Sequence, residues 1–402
     1  MNSEVYNADL LGQVERFPKE GSRNAGQTPA CMDTARTGQR SAFDEPMPLF
    51  PADTGRMALL RRYHDSTSSL SVPVLKEVCG NWLTALFGLP KHTAAAFTDN
   101  TPDALICALA AARAALCQRQ GFDTTELSNA PRLRVVTGSK LQSSVWRALA
   151  ALGANPHDIV AAPTDSTGRL RADALPPLDT STVLIVQTGG TDSLAFDPLH
   201  ELCDAARRAG AWVHVDGAHG LWAAASARHR HLVSGINKAD SWSVDASGIP
   251  GVPHGCNIVL CRDRETLISV QHGNIDKTAR TSNLTVLWSA LRQLGAEGVA
   301  QLIDGRCDVA SYLVGRLRER GFTIEGPTGF CRFMLKCETP GFAEQLLHYL
   351  KPDGICRCDA GTWNDEPVVW ISVLSHRAST RDIERTVTAF VKAKKAAAKL
   401  MS

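Results

Sequence analysis

The chain has 402 residues, 44% of them apolar, which is enough to bury a large core and to divide into one large unit with a smaller lobe. Lys plus Arg number 43 against 41 for Asp plus Glu, and a net charge of +2 offers neither nucleic acid nor an acidic membrane an electrostatic partner. The N-terminus lacks the apolar core of a secretion signal and no apolar run approaches about 18 residues, so export and membrane spanning are not expected.

Residues 1–50 are rich in Gly, Ser, Thr, Asn, Pro and charge without periodicity, which predicts a flexible arm. Regular patterning starts near Pro51. Val74 to Phe87 has helical spacing and stops at Gly88-Leu89-Pro90, and Pro102 to Gln118 is an alanine-rich helix opened by Thr101 and Pro102. Short β-branched runs then alternate with helices: strands at Arg134–Thr137, Val183–Val186, Trp212–Val215 and Ile258–Cys261, helices at Ser143–Leu152 and Pro198–Ala209. Strands that are apolar on both faces, with crossover helices between them, predict a mostly parallel sheet. A long helical stretch from Thr285 to Arg320 leads into a smaller α+β unit, with strands near Phe333–Lys336 and Val368–Val373 and a last helix from Thr380. Residues 51–300 are expected to form the large domain and 301–402 the small one.

The twelve cysteines are scattered, mostly in apolar contexts such as Leu105-Ile106-Cys107-Ala108, where a thiol behaves as a small hydrophobe. That usage fits a reducing cytosol and predicts a cytoplasmic protein. Cys356-Arg357-Cys358 and the Cys331/Cys337 pair lack zinc or redox spacing, and no metal is expected.

Trp212-Val-His-Val-Asp-Gly-Ala-His-Gly220, Ala239-Asp-Ser-Trp-Ser-Val-Asp245 and Val252-Pro-His-Gly-Cys-Asn257 together resemble the group II pyridoxal-phosphate decarboxylases, the family of the glutamate and aromatic amino-acid decarboxylases. Gly88-Leu-Pro90, Ala108–Arg113, Ser143–Ala148 with Leu152-Gly153, Gly190-Thr191 with Ala195–Pro198, and Ile371-Ser-Val373 fall in the family's order, so the likeness covers about Pro51 to Lys395. It implies a fold-type I, aminotransferase-like α/β large domain with a mostly parallel sheet, a smaller C-terminal α+β domain, and a homodimer with its site at the subunit boundary.

Pyridoxal phosphate asks four things of a protein: an amine tether for its aldehyde, a carboxylate on the ring nitrogen, a surface stacked on the ring, and a phosphate cradle. The resemblance assigns the carboxylate to Asp216 and the residue beneath the ring to Ala218. An ungapped count back from Val252-Pro253 and Cys256 puts Ser247 and Gly248 where the family has its His-Lys pair, and glycine has no amine to offer. Lys238 and Lys140 are the alternative amines. Gln142 stands at the family's stacking histidine, and an amide cannot replace imidazole as an acid or base near neutral pH. Where the family has its glycine-rich phosphate turn, the chain has Thr98-Asp-Asn-Thr-Pro102; Asp99, Asn100 and Thr101 crowd the turn and Pro102 removes a donor.

These changes predict a homologue without cofactor, binding or transforming a small polar, amino-acid-like molecule in a pocket formed by Asp216, His219, His254, Cys256, Gln142, Thr191, Asp99 and Ser247. Asp216, His219, His254 and Cys256 are the candidate catalytic groups. Two alternatives stand beside this: a scaffold or regulatory pseudoenzyme, and a carboxy-lyase that holds pyridoxal phosphate noncovalently or through another lysine.

Overall fold

The computed structural model describes residues 72–122, 132–138, 143–190, 192–252, 255–271, 281–350 and 355–401. The expected N-terminal arm, Lys140, Gln142, Thr191 and His254 lie outside the described residues.

The large domain opens with helix α1 (Val72–Phe87), strand β1 (Ala94–Thr98) and helix α2 (Thr101–Arg119). Then follow β2 (Arg134–Gly138), α3 (Ser143–Ala151), β3 (Ile159–Ala162), β4 (Thr182–Gln187), α4 (Leu199–Ala209), β5 (Trp212–Asp216), β6 (Ser241–Asp245) and β7 (Asn257–Cys261). The seven strands form one sheet in the order β1-β7-β6-β5-β4-β2-β3. Neighbours among β2 to β6 pair in parallel, while β7 runs antiparallel to both β6 and β1. Every residue of β5 and of β7 is buried, as expected for strands covered on both faces.

Helix α5 (Arg264–Gln271) leads to α6 (Thr281–Glu319), which bends at Gly295, the one residue in it with non-helical backbone angles. The small sheet is antiparallel, in the order β10-β11-β9-β8, with β8 at Ile324–Phe330, β9 at Arg332–Lys336, β10 at Cys356–Trp363 and β11 at Glu366–Val373. Helices α7 (Pro340–Tyr349) and α8 (Thr380–Met401) cover it. The expected boundary at residue 300 falls inside α6. Up to Cys307 this helix packs into the core of the large sheet, and from Val309 onward it packs against the small sheet. One helix thus joins both cores, and the groups near Cys307 sit at their seam. Among the described residues no helix is long and apolar enough to cross a membrane.

Candidate functional site

Asp216 ends the buried strand β5, opposite Gln187 of β4 and Ser243 of β6. This is the C-terminal edge of the parallel strands, where α/β sheets bind ligands. The carboxyl group is 4% exposed. The Ala218 amide and the Ser243 hydroxyl donate to it, yet burial outweighs them and pushes its pKa up to about 6. Among the described residues its Oδ2 has no hydrogen-bond partner. A buried carboxylate oxygen left unpaired is costly unless a ligand supplies a donor, and the protonated nitrogen of a pyridine ring is such a donor.

Past Asp216 the chain turns tightly over the end of β4. Gly217 N–H donates to Ser243 O at 3.0 Å and Gly220 N–H to Thr188 O at 3.2 Å. A Cβ on Gly220 would run into the Thr188 carbonyl, so this close approach requires glycine. The turn sets His219 above the strand ends, where burial first, and then the charges of Arg332 and Arg357, hold its pKa down at about 4. A neutral imidazole there can accept or donate a hydrogen bond but carries no charge at neutral pH.

Across from it lies the turn after β6. Ser247 donates twice to Asp245, from its amide at 2.8 Å and its hydroxyl at 2.7 Å, which folds the turn back on the strand. Gly248 follows, and among the described residues the only atom within 4 Å of a Cβ placed there is His219 Nδ1, at 3.9 Å. The position has room for a side chain and carries none.

His219, Ser247 and Gly248 form one wall of a 230 Å³ cavity whose other wall is built by α6 and the small antiparallel sheet. That opposite wall holds Arg306 of α6, Cys331 of the β8–β9 turn, Arg332 of β9, and Arg357 and Asp359 of β10. Arg306 is 4% exposed, donates to Gly248 O at 2.6 Å and, among the described residues, leaves its Nε without a partner. Arg332 donates to the Ser372 hydroxyl at 3.1 Å, and Arg357 pairs with Asp359 at 3.2 Å. With Asp245 the cavity faces three guanidinium groups and two carboxylates, an excess of positive charge suited to an anion. The sequence gives little sign of these arginines. They are distant in the chain, and an isolated arginine in a helix or strand usually marks a solvated face.

The remaining candidates are placed differently from expectation. Asp99, Asn100 and Thr101 lie at the β1–α2 turn, away from this cavity. Asn100 caps α2 by accepting from Asp103 N–H at 2.8 Å, and the Thr101 hydroxyl donates to Asn257 Oδ1 at 3.1 Å. Cys256 does not line the cavity either; burial, with Asp245 and Asp99 nearby, pushes its thiol up to about 12, and it is a core thiol, not an activated one. Lys238 sits at the opposite edge of the sheet, before β6, where its Nζ bonds Asp204 at 2.7 and 2.8 Å. It cannot serve as the replacement amine. Among the described residues no lysine lines the cavity.

The ring-nitrogen end of the site fits pyridoxal phosphate, since Asp216 offers the buried, unpaired oxygen that the ring requires. Comparison with known proteins points the same way. The family profile "Pyridoxal-dependent decarboxylase conserved domain" matches residues 63–325. The acidic amino acid decarboxylase GADL1 of Mus musculus is 27% identical over 235 residues, 49% of this chain and 42% of that protein. Tyrosine/DOPA decarboxylase 5 of Papaver somniferum is 28% identical over 306 residues, 65% of this chain and 58% of that one. The matched stretch thus spans about half the length of these curated relatives. The Oryza sativa TDC structure with PLP and tryptamine shares the fold, with a TM-score of 0.70 at 19% identity over 99% of this chain and 96% of that one.

The family match overturns the expectation that no cofactor is bound. That expectation rested on the tether and the phosphate turn, whereas Asp216, which the resemblance assigns to the ring nitrogen, stands buried at the end of β5. Matched over well more than half its length, the chain belongs to the pyridoxal-dependent decarboxylase family.

Proposed function

We propose that the chain is a pyridoxal-phosphate protein whose cofactor is not tethered through residue 248, and that it binds or transforms a small amino-acid-like molecule in the cavity between its two domains. The observation that carries this is the pairing of Asp216, with a buried oxygen awaiting a donor, and Gly248, with space for a side chain beside His219. When bound, the cofactor supplies an electron-withdrawing ring that weakens the bonds at an amino acid's α-carbon. Asp216 keeps a proton on the ring nitrogen. Neutral His219 offers a hydrogen bond at the face where Gly248 leaves space, and Arg306 with Arg332 and Arg357 docks the ligand's carboxylate by charge-assisted hydrogen bonds. The relatives' names include an acidic amino acid decarboxylase, and the cationic wall favours an acidic ligand here too. As in the family resemblance, a homodimer is the proposed assembly.

The test is one equivalent of pyridoxal phosphate added to the purified chain, followed spectroscopically and then reduced with borohydride. The expected result is bound cofactor with the absorption of a free aldehyde and no pyridoxyl group fixed to any lysine. A pyridoxyl-lysine at stoichiometric yield would overturn the reading and restore a conventional tether.

A further inference from the structure

A second cavity, of 330 Å³, lies at the opposite edge of the large sheet from Asp216, and nothing in the function proposed above uses it. β5 and β6 begin here and helices α2 and α4 end here, while antiparallel β7 brings its last residue, Cys261, level with Ser241 at the start of β6. Four cationic side chains meet as a result. Arg119 closes α2, Arg207 lies in the last turn of α4, Lys238 precedes β6 and Arg262 follows β7. Among the described residues that line the cavity, Asp240 alone is acidic.

The three arginines are held by neutral groups. Arg262 donates to Ala239 O at 2.9 and 3.1 Å and to Asn237 O at 2.6 Å, and Arg207 donates to Lys238 O at 3.5 Å. The Arg119 guanidinium lies 5.5 Å from the centroid of the Trp212 ring. Among the described residues none of the three forms an ion pair, whereas Arg171, Arg228, Arg316 and Arg357 each hold a carboxylate. Lys238 is paired with Asp204 at 2.7 Å, and Asp240 accepts from Val213 N–H at 2.8 Å. Burial pushes the Asp240 carboxyl up from its ordinary value, and the nearby charges of Arg119, Arg262 and Arg207 oppose that rise. The C-terminal ends of α2 and α4 add about half a negative charge each. Set against the four cations, the two carboxylates and the two helix ends leave about one positive charge over.

A guanidinium fork matches the paired oxygens of a phosphate, and a lysine adds a point charge. The volume of 330 Å³ is about ten times the share of one water in the liquid, which gives room for linked phosphates. Among the described residues no aromatic side chain lines the cavity to stack a base. We propose that this cavity binds a small linear polyphosphate through Arg119, Arg207, Lys238 and Arg262, at a site separate from the cavity between the domains. It reads the phosphate chain and not a nucleoside.

The full chain is titrated calorimetrically with tripolyphosphate at low salt and without divalent cations. Because the cavity between the domains is also cationic, the titration is run on both the wild type and Arg306→Met. The expected result is saturable binding to both, weakening as salt is raised. Arg119→Gln and Arg207→Gln, at two exposed side chains, should each weaken it at least about tenfold. Arg208→Gln, next along α4 but outside the cavity, should bind within about twofold of the wild type, as should ATP in place of tripolyphosphate. No binding to the wild type overturns the inference. So does binding that survives Arg207→Gln but not Arg306→Met, which belongs to the other cavity. Equal losses in Arg208→Gln and Arg207→Gln would mark a diffuse surface field in place of a site. ATP binding more than about tenfold tighter than tripolyphosphate would put recognition in the base and overturn the assignment of the ligand.

Discussion

Arg306 Nη1 donates at 2.6 Å to the carbonyl of Gly248, so helix α6 grips the backbone at the residue where the family resemblance puts the cofactor's tether. The guanidinium is buried, and burial lowers its pKa from the usual arginine value. Two effects oppose each other when it is removed. A hydrogen bond from a charged donor contributes about 1.5–3 kcal/mol, while relief of a poorly compensated buried charge returns a similar amount.

Arg306→Met is therefore expected to change stability by no more than about 1 kcal/mol in urea melts, since the lost bond and the relieved desolvation nearly offset. Its effect on binding has no such offset. L-glutamate, which should raise the melting temperature of the wild type, should bind the variant at least about tenfold more weakly, a change of about 1.4 kcal/mol. A variant that binds glutamate as well as the wild type does would remove Arg306 from the ligand site.

Asp216 should act in opposite directions with and without cofactor. Its folded pKa, about 6, lies above the ordinary value of 3.8, so the native state holds an extra proton between those two values. A raised carboxyl costs stability progressively as pH rises from 3.8 through 6 and costs nothing below 3.8. In cofactor-free protein Asp216→Asn should be more stable than wild type by roughly 2–3 kcal/mol at pH 7.5, with the advantage gone near pH 4. The stabilisation by pyridoxal phosphate should shrink in the same variant, because an amide cannot hold a proton on the ring nitrogen. Chemical denaturation at the two pH values, each with and without cofactor, checks both signs.

Much of the fold was legible because burial writes itself into local pattern. Val183–Val186 and Trp212–Val215 are continuous apolar runs because both faces of these strands are covered, while α2 starts near Pro102 as expected but is capped by Asn100, one residue before the expected Thr101. β1 is harder to see, since Ala94-Ala95-Ala96 lacks the β-branched residues that mark strands and is held by pairing with β7 instead. β8 and β10 contain Gly, and β8 contains Pro, which reads as turn until the antiparallel partners are known. Asp216 could be found from its strand-end context. The cationic wall could not, because residues 306, 332 and 357 meet only through tertiary structure, and Cys256 beside His254 suggested chemistry that its burial forbids.

His214 should govern part of the acid sensitivity. It lies on β5, fully buried, with Nδ1 2.9 Å from the Ser241 hydroxyl and Nε2 3.4 Å from that of Ser243. Burial lowers its pKa from 6.5 to about 3. Because the folded value is depressed, the neutral imidazole's contribution is complete above pH 6.5 and is lost as pH falls toward 3, where the unfolded chain alone takes up the proton. The stability difference between wild type and His214→Gln should therefore narrow by about 1.4 kcal/mol per pH unit below 6.5. Parallel melts at pH 7.5, 5.5 and 4.5 measure that slope, and a pH-independent difference would mean that His214 titrates in the native state as it does in the unfolded chain.

The sharpest prediction concerns Gly248. Its backbone is not among the glycines with positive φ, and among the described residues a Cβ there meets nothing closer than His219 Nδ1 at 3.9 Å, so a side chain at this position strains neither the backbone nor those neighbours. Gly248→Lys should fold, and burial among Arg306, Arg332 and Arg357 should depress the new amine's pKa and leave it nucleophilic near neutral pH. With one equivalent of pyridoxal phosphate the variant should gain the visible band of an imine, and borohydride should fix a pyridoxyl group at position 248, located by peptide mapping. The wild type treated identically should gain neither. If the variant binds cofactor but the label falls on Lys238 or another native lysine, residue 248 does not face the aldehyde, and the untethered reading fails at its central position.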